Sequence, residues 1–310
     1  MTQFPLSATT SSLTTQEHGR HFLVNSPQYL FPWDSAEAHR MDLFHKAVTL
    51  VCSHGMSSSG LHSAPLQPNQ HLRVLDLGTG TGVWVVEMAE IPSNAKFQCL
   101  DIETHWQLGT ASWDLIHIRC LNGVVRNWPS LYATVHSHLL PGVGHIEHIE
   151  LDWTPLDGAG PYLTSWSRIV LACMDTAGRS LRVDSEETGQ DASFSSALST
   201  ASGMSLPSTS GMSSPAGSTK YFDEEDSSYN DNGNDSGNDN ATAGAEVWFP
   251  RAFEQWLEGL TLMPMLRAGY SLEAIYKLLA DVRQELDDPT VQAKCTLYVW
   301  TAKCPERKER

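Results

Sequence analysis

The sequence lacks any apolar run that could cross a membrane, and its cysteines form no closely spaced pair. A membrane span needs roughly 18 or more consecutive apolar residues, and the chain has no such stretch. The six cysteines are scattered without a Cys-x-x-Cys motif, which indicates reduced thiols rather than a disulfide framework. The N-terminus has no basic segment followed by an apolar core, the pattern of a secretory signal. We therefore expect a soluble, intracellular protein that does not bind membranes.

Basic residues are scarce, and this scarcity argues against one class of partner. The 310-residue chain has 20 Lys and Arg against 36 Asp and Glu, a net charge of −16 at pH 7. A non-specific nucleic-acid binder needs a basic surface, so we expect no direct binding of nucleic acid. The charge is unevenly placed, because twelve acidic residues but only one basic residue, Lys220, lie between positions 183 and 250.

The segment 185–245 lacks the apolar residues that a folded core requires. Ser, Gly, Asn, Asp and Thr dominate it, and this composition buries too little apolar area to offset the entropy lost on ordering. We predict a disordered acidic insertion, which is either a solvated linker or a docking segment for a basic partner. Residues 1–28, rich in Ser and Thr, are also predicted to be disordered. The folded domain would then be built from residues 29–184 and 246–305.

The sequence does contain a regular alternation of strand and helix patterns. Short runs of β-forming residues predict strands at 73–77, 96–100, 113–119, 144–153 and 295–301. Helical spacing of apolar residues predicts helices at 83–90, 129–140 and 247–260, and two more that begin after the capping residues Asp34 and Ser271. Strands that alternate with helices indicate an α/β fold, here a doubly wound, mostly parallel sheet covered by helices.

The most informative motif is a glycine cluster directly after the first apolar strand. Gly78, Gly80 and Gly82 open a helix, and glycines let the backbone approach a ligand closely. A dinucleotide-binding loop has the spacing Gly-x-Gly-x-x-Gly and holds a pyrophosphate, whereas the spacing here is Gly-x-Gly-x-Gly and Asp76 precedes it. A carboxylate would repel a pyrophosphate but suits the cationic amine of S-adenosylmethionine. The loop therefore favours S-adenosylmethionine over NAD, with a glycine-rich turn that binds no ligand as the remaining alternative.

Longer segments around this loop make the sequence similar to a known family. They are YLFPWDSAEAHRMDLFH, VLDLGTGTGVW and SWDLIHIRCLNGVVRNWPSLYATVHSHLLPGVGHIEHIE. They resemble the fungal LaeA-type proteins, a velvet-complex family of class I S-adenosylmethionine-dependent methyltransferases. The resemblance covers residues 29–182 and 247–305 and leaves the acidic insertion unmatched.

The resemblance implies a Rossmann-like methyltransferase sheet with S-adenosylmethionine as its cofactor. It further implies a methyltransferase-like regulator of transcription, secondary metabolism and development, sporulation included. Its partners would be velvet-family regulatory proteins, and its location would be the nucleus, with the cytoplasm as a second location. The methyl acceptor is not defined by the resemblance.

The resemblance also assigns roles to particular residues. The residues expected around the methionine half of the cofactor are Asp76, Gly78, Thr79, Gly80 and Gly82. Those expected beside the adenine are Asp101 and Ile102, and Arg119 ends the strand that borders the methyl-transfer point. His117, on that same strand, is a candidate general base. A histidine on an apolar strand is more often a packing residue, and transfer from a sulfonium needs little acid–base help.

One departure from the family leaves the ribose-binding acid open. Only Ala89-Glu90-Ile91 stand where the family has its second strand, the ribose acid and a helix. If residues 96–100 are the third strand, the preferred alignment, that acid is missing and the protein should bind S-adenosylmethionine weakly. The alternative function is a non-catalytic interaction protein that retains the fold but has an impaired cofactor site. If residues 96–100 are the second strand, Asp101 is the ribose acid, 19 residues after Gly82 and near the spacing of about 20 found in such units. Either way, one βα unit is missing.

The motif His145-Ile146-Glu147-His148 does not predict a metal site. Side chains alternate between the two faces of a strand, so His145 and His148 would point in opposite directions. We expect these residues to form strand faces, with no bound metal.

Overall fold

The computed structural model describes residues 13–24, 26, 28–55, 60–66, 71–89, 95–183, 202–205 and 242–306. The predicted disorder of residues 1–12 and of most of the acidic insertion lies outside the described residues. Within the predicted N-terminal tail, Thr14–Glu17 (β1) and Arg20–Leu23 (β2) pair as an antiparallel hairpin. No helix in the described ranges is long and apolar enough to span a membrane.

A mixed five-stranded sheet forms the centre of the molecule. Its strands are β3 (Val74–Leu77), β4 (Leu115–Arg119), β5 (His145–Asp157), β6 (Ser202–Ser205) and β7 (Lys294–Lys303). Their spatial order is β3-β4-β5-β7-β6. The strands β3, β4 and β5 run parallel, while β7 is antiparallel to both of its neighbours. The predicted α/β fold with parallel strands is confirmed.

In the described part of the chain, six helices accompany the sheet. They are α1 (Ser35–Gly55), α2 (Val83–Met88), α3 (Trp128–His138), α4 (Pro161–Thr176), α5 (Thr242–Arg267) and α6 (Leu272–Leu286). Both predicted caps are confirmed, since Asp34 Oδ1 accepts from the Glu37 N–H at 2.9 Å and Ser271 Oγ from the Ala274 N–H at 3.2 Å. Helix α4 is not among the predicted elements.

The predicted strand at 96–100 is wrong. Residues 95–100 have no regular secondary structure, and residues 96–99 are exposed. Because neither face of this segment is covered by an apolar layer, its alternating pattern has nothing to pack against. Among described residues 71–89 and 95–114, no strand lies beyond β3, which is the edge of the sheet. Both alternative alignments with the family place a strand at 96–100. The structure has no strand there, so both are wrong on this point.

The acidic insertion departs from its predicted boundaries at two places. Residues 202–205, inside the segment predicted to be disordered, form the edge strand β6 against β7. Helix α5 begins at Thr242, three residues before the predicted end of the insertion at 245. Backbone pairing to β7 explains the strand, because ladder hydrogen bonds need no apolar side chains.

The helices cover both faces of the sheet. Along β5, Ile149, Leu151 and Trp153 point to one face and pack with α1, α4, α5 and α6 into the larger core. Ile146 points to the other face and packs with α3. Burial of one such side chain stabilises the fold by about 1.5–3 kcal/mol. This packing leaves the carboxyl ends of β3 and β4 at the rim of a cleft.

Candidate functional site

A cleft of about 2830 Å³ opens where β3 and β4 end. Its walls are the glycine loop, the first half of α1, residues 95–103, the loop after β4 and part of α5. In open α/β sheets, ligands bind outside the carboxyl ends of the strands. The cleft therefore lies where the fold predicts a ligand site, and it contains all the predicted cofactor residues, Asp76, Gly78, Thr79, Gly80, Gly82, Asp101, Ile102 and Arg119.

The glycine loop needs glycine at each of its three positions. Gly78, Gly80 and Gly82 have φ of +71°, +57° and +82°, the left-handed region that side chains disfavour. A Cβ on Gly78 would clash with Leu121, while a Cβ on Gly80 would lie 3.0 Å from Met41 Sδ. The loop is thus packed between β4 and α1.

Two further contacts hold the ends of the loop. Thr81 Oγ1 donates to Asp42 Oδ1 on α1 at 2.6 Å, and Thr79 Oγ1 lies 3.4 Å from the Asp76 carbonyl oxygen. A Cβ on Gly82 would meet Phe97 at 2.9 Å, so the irregular segment 95–100 lies directly against the loop. Helix α1 and this segment together fix the loop at the cleft.

Asp76 and His117 form a buried pair under α2. His117 Nδ1 donates to Asp76 Oδ1 at 2.8 Å, and its ring stacks on Trp84 at a centroid distance of 3.9 Å. His117 Nε2 lies 3.8 Å from Glu147 Oε1. The histidine is completely buried and does not line the cleft, so its surroundings are those of a packing residue rather than of a general base.

Glu147 links this pair to the segment before β3. Its Oε2 accepts from the N–H groups of Ser63 and Ala64, the latter at 2.9 Å. Trp84 Nε1 donates to the Leu61 carbonyl at 2.7 Å. The carboxylates of Asp76 and Glu147 therefore accept hydrogen bonds from other groups of the protein. Sequence spacing alone did not indicate these contacts.

Arg119 ends β4 and enters the cleft wall. Its Nη1 donates to His45 Nδ1 at 3.1 Å, and His45 Nε2 lies 2.9 Å from Glu87 Oε2. Burial lowers the pKa of His45, and the nearby Arg119 lowers it further. Arg119 was predicted from the sequence, whereas His45 was not, because its helical spacing on α1 is that of an ordinary core position.

Asp101 lies on the opposite wall with an exposed side chain. Its Oδ1 accepts from the Glu103 N–H at 2.9 Å, and the Ile102 carbonyl accepts from Trp106 Nε1 at 2.9 Å. Glu103 Oε1 in turn accepts from the N–H groups of Arg126 and Asn127 at 2.9 and 3.1 Å. Asp101 is thus placed by a turn that the buried Trp106 anchors.

The other end of the cleft contains residues that the sequence analysis missed. Glu37 Oε1 accepts from Arg40 Nε and Nη2 at 3.0 and 2.8 Å, and the Arg40 guanidinium stacks over Trp256 at 4.0 Å. Glu37 Oε2 and Arg40 Nη1 are buried and have no hydrogen-bond partner in the described part of the chain. Burial raises the pKa of Glu37 and that of Tyr29 beside it. Only the capping role of this helix start was visible in the sequence.

Glu150 holds the loop after β4. Its Oε1 accepts from the N–H groups of Leu121 and Asn122 at 2.7 and 3.1 Å and from His148 Nε2 at 3.0 Å. Tyr132 Oη donates to His148 Nδ1 at 2.8 Å. The histidine predicted to lie on a strand face is therefore part of a buried network that shapes the cleft.

Comparisons with known proteins find a methyltransferase domain and relatives of one kind. A model of a methyltransferase domain matches residues 54–182. The chain is 29% identical to the secondary metabolism regulator laeA of Gibberella zeae, over 93% of this chain and 92% of that protein. It is also 29% identical to the secondary metabolism regulator LAE1 of Cochliobolus heterostrophus, over 90% and 91% of the two chains. A third relative, named protein-methionine methyltransferase laeA, of Emericella nidulans, is 28% identical over 94% and 77%.

Solved methyltransferases are more distant. Haemonchus contortus phosphoethanolamine N-methyltransferase 2, in complex with S-adenosyl-L-methionine, has a TM-score of 0.39 and 11% identity, covering 96% of this chain and 73% of that one. The plantazolicin methyltransferase BamL, in complex with S-adenosylhomocysteine, has a TM-score of 0.32 and 16% identity, covering 87% and 86%. The likeness of this chain to known proteins therefore rests on the domain match and the curated relatives.

The domain match also bears out S-adenosylmethionine as the cofactor that the glycine spacing favoured over NAD. The match and the similarity along more than nine-tenths of the sequence lead to one conclusion: the chain has a methyltransferase domain and is similar to the LaeA-type secondary metabolism regulators.

Proposed function

We propose that this protein is a methyltransferase-like regulator of secondary metabolism and development that binds S-adenosylmethionine in the cleft and acts in the nucleus with velvet-family partners. The observation that carries the cofactor part is that the glycine loop, Arg119 and Asp101 border one cleft at the carboxyl ends of β3 and β4. The regulatory part rests on the relatives' printed names, and the nuclear and velvet parts rest on the resemblance alone.

The groups along the cleft fit the chemistry of this cofactor. Its amino-acid end is a zwitterion, for which Arg119 offers a cation and Glu87 a half-exposed carboxylate. Its ribose hydroxyls are hydrogen-bond donors, which the exposed carboxylate of Asp101 can accept. Its adenine has flat faces that pack against apolar side chains, and the partly buried Ile102 and Leu108 lie on the same wall. The bound cofactor would supply an electrophilic methyl group, while these residues would bind and orient it.

The role of Asp101 separates two forms of this proposal. As the ribose acid, Asp101 would accept charge-assisted hydrogen bonds worth about 1.5–3 kcal/mol each, so Asp101→Asn would weaken binding at least about tenfold. If Asp101 instead lies at the adenine edge, it would contribute little to the affinity. The wild type would then bind weakly, because the ribose hydroxyls would have no carboxylate acceptor. One calorimetric titration of both proteins with S-adenosylhomocysteine decides between them.

A non-catalytic interaction protein is the second candidate function. It is favoured by the missing secondary structure between α2 and β4 in described residues 95–114, where the family alignment places cofactor-binding elements. Incubation with methyl-labelled S-adenosylmethionine and a fungal nuclear extract distinguishes the two candidates. Binding with labelled product supports the enzyme, and the absence of any labelled product supports the interaction protein.

A protein methionine is the first acceptor to test. One relative is named a protein-methionine methyltransferase. Phe44, Trp153 and Trp256 line the same end of the cleft as Arg40 with aromatic rings, and thioether sulfur packs favourably against such rings. Mass spectrometry of the labelled product reports the modified side chain. Label on lysine, arginine or a small molecule would contradict methionine as acceptor.

The nuclear and velvet parts need a cellular test. We expect a fluorescent fusion of the full chain to concentrate in nuclei and to co-purify with a velvet-family protein from the same fungus. A cytoplasmic fusion that co-purifies with no velvet-family protein would contradict this part and leave cofactor binding unaffected.

A further inference from the structure

His45 lies behind two residues of the cleft wall and contacts both. Arg119 on β4 and Glu87 on α2 line the cleft, whereas His45 on α1 is 2% exposed and does not reach it. The distances are 3.1 Å from Arg119 Nη1 to His45 Nδ1 and 2.9 Å from His45 Nε2 to Glu87 Oε2. A side chain in this position cannot touch a ligand, but it can decide where Arg119 points.

The chemistry of the neighbours fixes the protonation of the ring. A guanidinium only donates hydrogen bonds, so Nδ1 must accept from Arg119 and carry no proton. A carboxylate only accepts, so Nε2 carries the proton and donates to Glu87. The imidazole is therefore neutral in this arrangement, and it joins α1, α2 and β4 in one directed chain of hydrogen bonds.

We propose that His45 is a positioning residue, which in its neutral form holds the Arg119 guanidinium ready to bind an anionic group in the cleft, the carboxylate of the cofactor's methionine half. This inference rests on the proposed function. Arg119 has five N–H donors and His45 uses one, which leaves the cleft-facing part of the guanidinium for a carboxylate. Without an acceptor behind it, the flexible arginine would have to be ordered by the ligand, at an entropic cost.

Protonation of His45 breaks the arrangement. The charged and polar groups that face the ring are Glu87 on α2, Arg119 on β4, and Asp42 and Thr49 on α1. A proton on Nδ1 would leave Arg119 no acceptor and place two cations side by side. Burial and Arg119 lower the pKa of His45 below its ordinary 6.5, against the opposite effect of Glu87 and Asp42. Ligand binding should thus be strong above this lowered pKa and weaken as the pH falls through it.

Calorimetry with S-adenosylhomocysteine, from about pH 5 to pH 8, tests the proposal on the full chain. For the wild type, we expect affinity to fall as the pH is lowered, by up to about tenfold for each pH unit below the lowered pKa of His45. His45→Asn keeps an acceptor near the Nδ1 position but cannot titrate, so it should bind well at neutral pH and lose most of the pH dependence. His45→Phe keeps the size of the ring without an acceptor, so it should bind weakly at every pH.

Arg119→Gln completes the test. If His45 acts through Arg119, the double variant His45→Phe/Arg119→Gln should bind no more weakly than Arg119→Gln alone. Additive losses, or a wild-type pH dependence that persists in His45→Asn, would overturn the positioning role while leaving cofactor binding intact. Failure of the wild type to bind at any pH would overturn the proposed function as well. Thermal midpoints of all variants separate these outcomes from loss of the fold.

Discussion

At the scale of single residues, carboxylates around the cleft are hydrogen-bonded to other groups of the protein. Asp76 accepts from His117 at 2.8 Å, and Glu147 accepts from two backbone N–H groups of the segment before β3. A buried carboxylate with such partners costs several kcal/mol when one partner is removed, because the remaining charge stays desolvated. Asp76 therefore stabilises the structure beneath the glycine loop, independently of any contribution to cofactor binding.

Gly80 offers a test of the loop's backbone. Its φ of +57° is in the left-handed region, and a Cβ there would lie 3.0 Å from Met41 Sδ. Gly80→Ala should lower the free energy of unfolding by about 1–2 kcal/mol, measured by urea denaturation. Adding Met41→Ala removes the contact but not the strained φ, so the double variant should not recover the lost stability. An unchanged unfolding midpoint in Gly80→Ala would contradict this geometry.

Tyr132 tests the network behind the loop after β4. Its hydroxyl donates to His148 at 2.8 Å in a buried site, and burial raises its pKa. Tyr132→Phe should lower the free energy of unfolding by about 1 kcal/mol, because His148 loses its donor. The matched control is Tyr276→Phe on the exposed face of α6, which should change stability little. Equal effects in the two variants would contradict a buried network.

At the scale of elements, one helix supplies the cap of another. Helix α4 begins with Pro161 after Gly160, which has no capping side chain. Glu285 on α6 takes over that function, since its two carboxylate oxygens accept from the N–H groups of Tyr162 and Leu163 at 2.8 Å each. A Cβ on Gly160 would clash with this carboxylate, which explains the glycine. The start of α4 therefore depends on contacts 122 residues away, as the Leu163–Glu285 bond shows.

Removal of the Glu285 carboxylate should destabilise the start of α4. Glu285→Ala leaves the buried Leu163 N–H and the part-buried Tyr162 N–H without an acceptor and should lower the free energy of unfolding by about 2 kcal/mol. Gln284→Ala, at the exposed neighbouring position, is the control and should change stability by less than about 0.5 kcal/mol. Chemical denaturation measures both. Similar stabilities would mean that α4 does not need the cap.

At the scale of the whole molecule, local patterns predicted the elements that are stabilised locally. The strand before the glycine loop, the caps of α1 and α6, and the closing strand β7 all follow from short-range spacing. The segment 96–100 has a strand pattern, but no layer covers it, and coverage cannot be read from the segment itself. Helix α4 was missed because its cap comes from Glu285, far along the chain.

The candidate site divides in the same way. The glycine loop and Arg119 were visible because they stand in or beside a recognisable motif. His45, Glu150 and the Glu37–Arg40 pair were not, since their function comes from partners that the fold brings together. His45 lies ten residues after Ser35, the first residue of α1, and a histidine inside a helix carries no sequence signal of its own.

Thiol reactivity checks the packing of the whole chain. Cys99 is exposed, while Cys52, Cys173, Cys295 and Cys304 are buried. Burial raises the pKa of Cys52 to about 11, with Glu147 adding to the effect, and burial also raises the pKa of Cys295. Because the thiolate is the nucleophile, iodoacetamide at about pH 8 should modify Cys99 first, as peptide mass spectrometry would reveal. Cys99→Ser should abolish the fast phase; fast modification of Cys52 would contradict the packing of α1.

The central claim is that the cleft at the ends of β3 and β4 binds S-adenosylmethionine and not a dinucleotide. The most direct measurement is a calorimetric titration of the full chain with S-adenosylhomocysteine, repeated in the presence of excess NAD. We predict saturable one-site binding of S-adenosylhomocysteine that NAD does not reduce. An absence of binding, or displacement by NAD, would contradict the account.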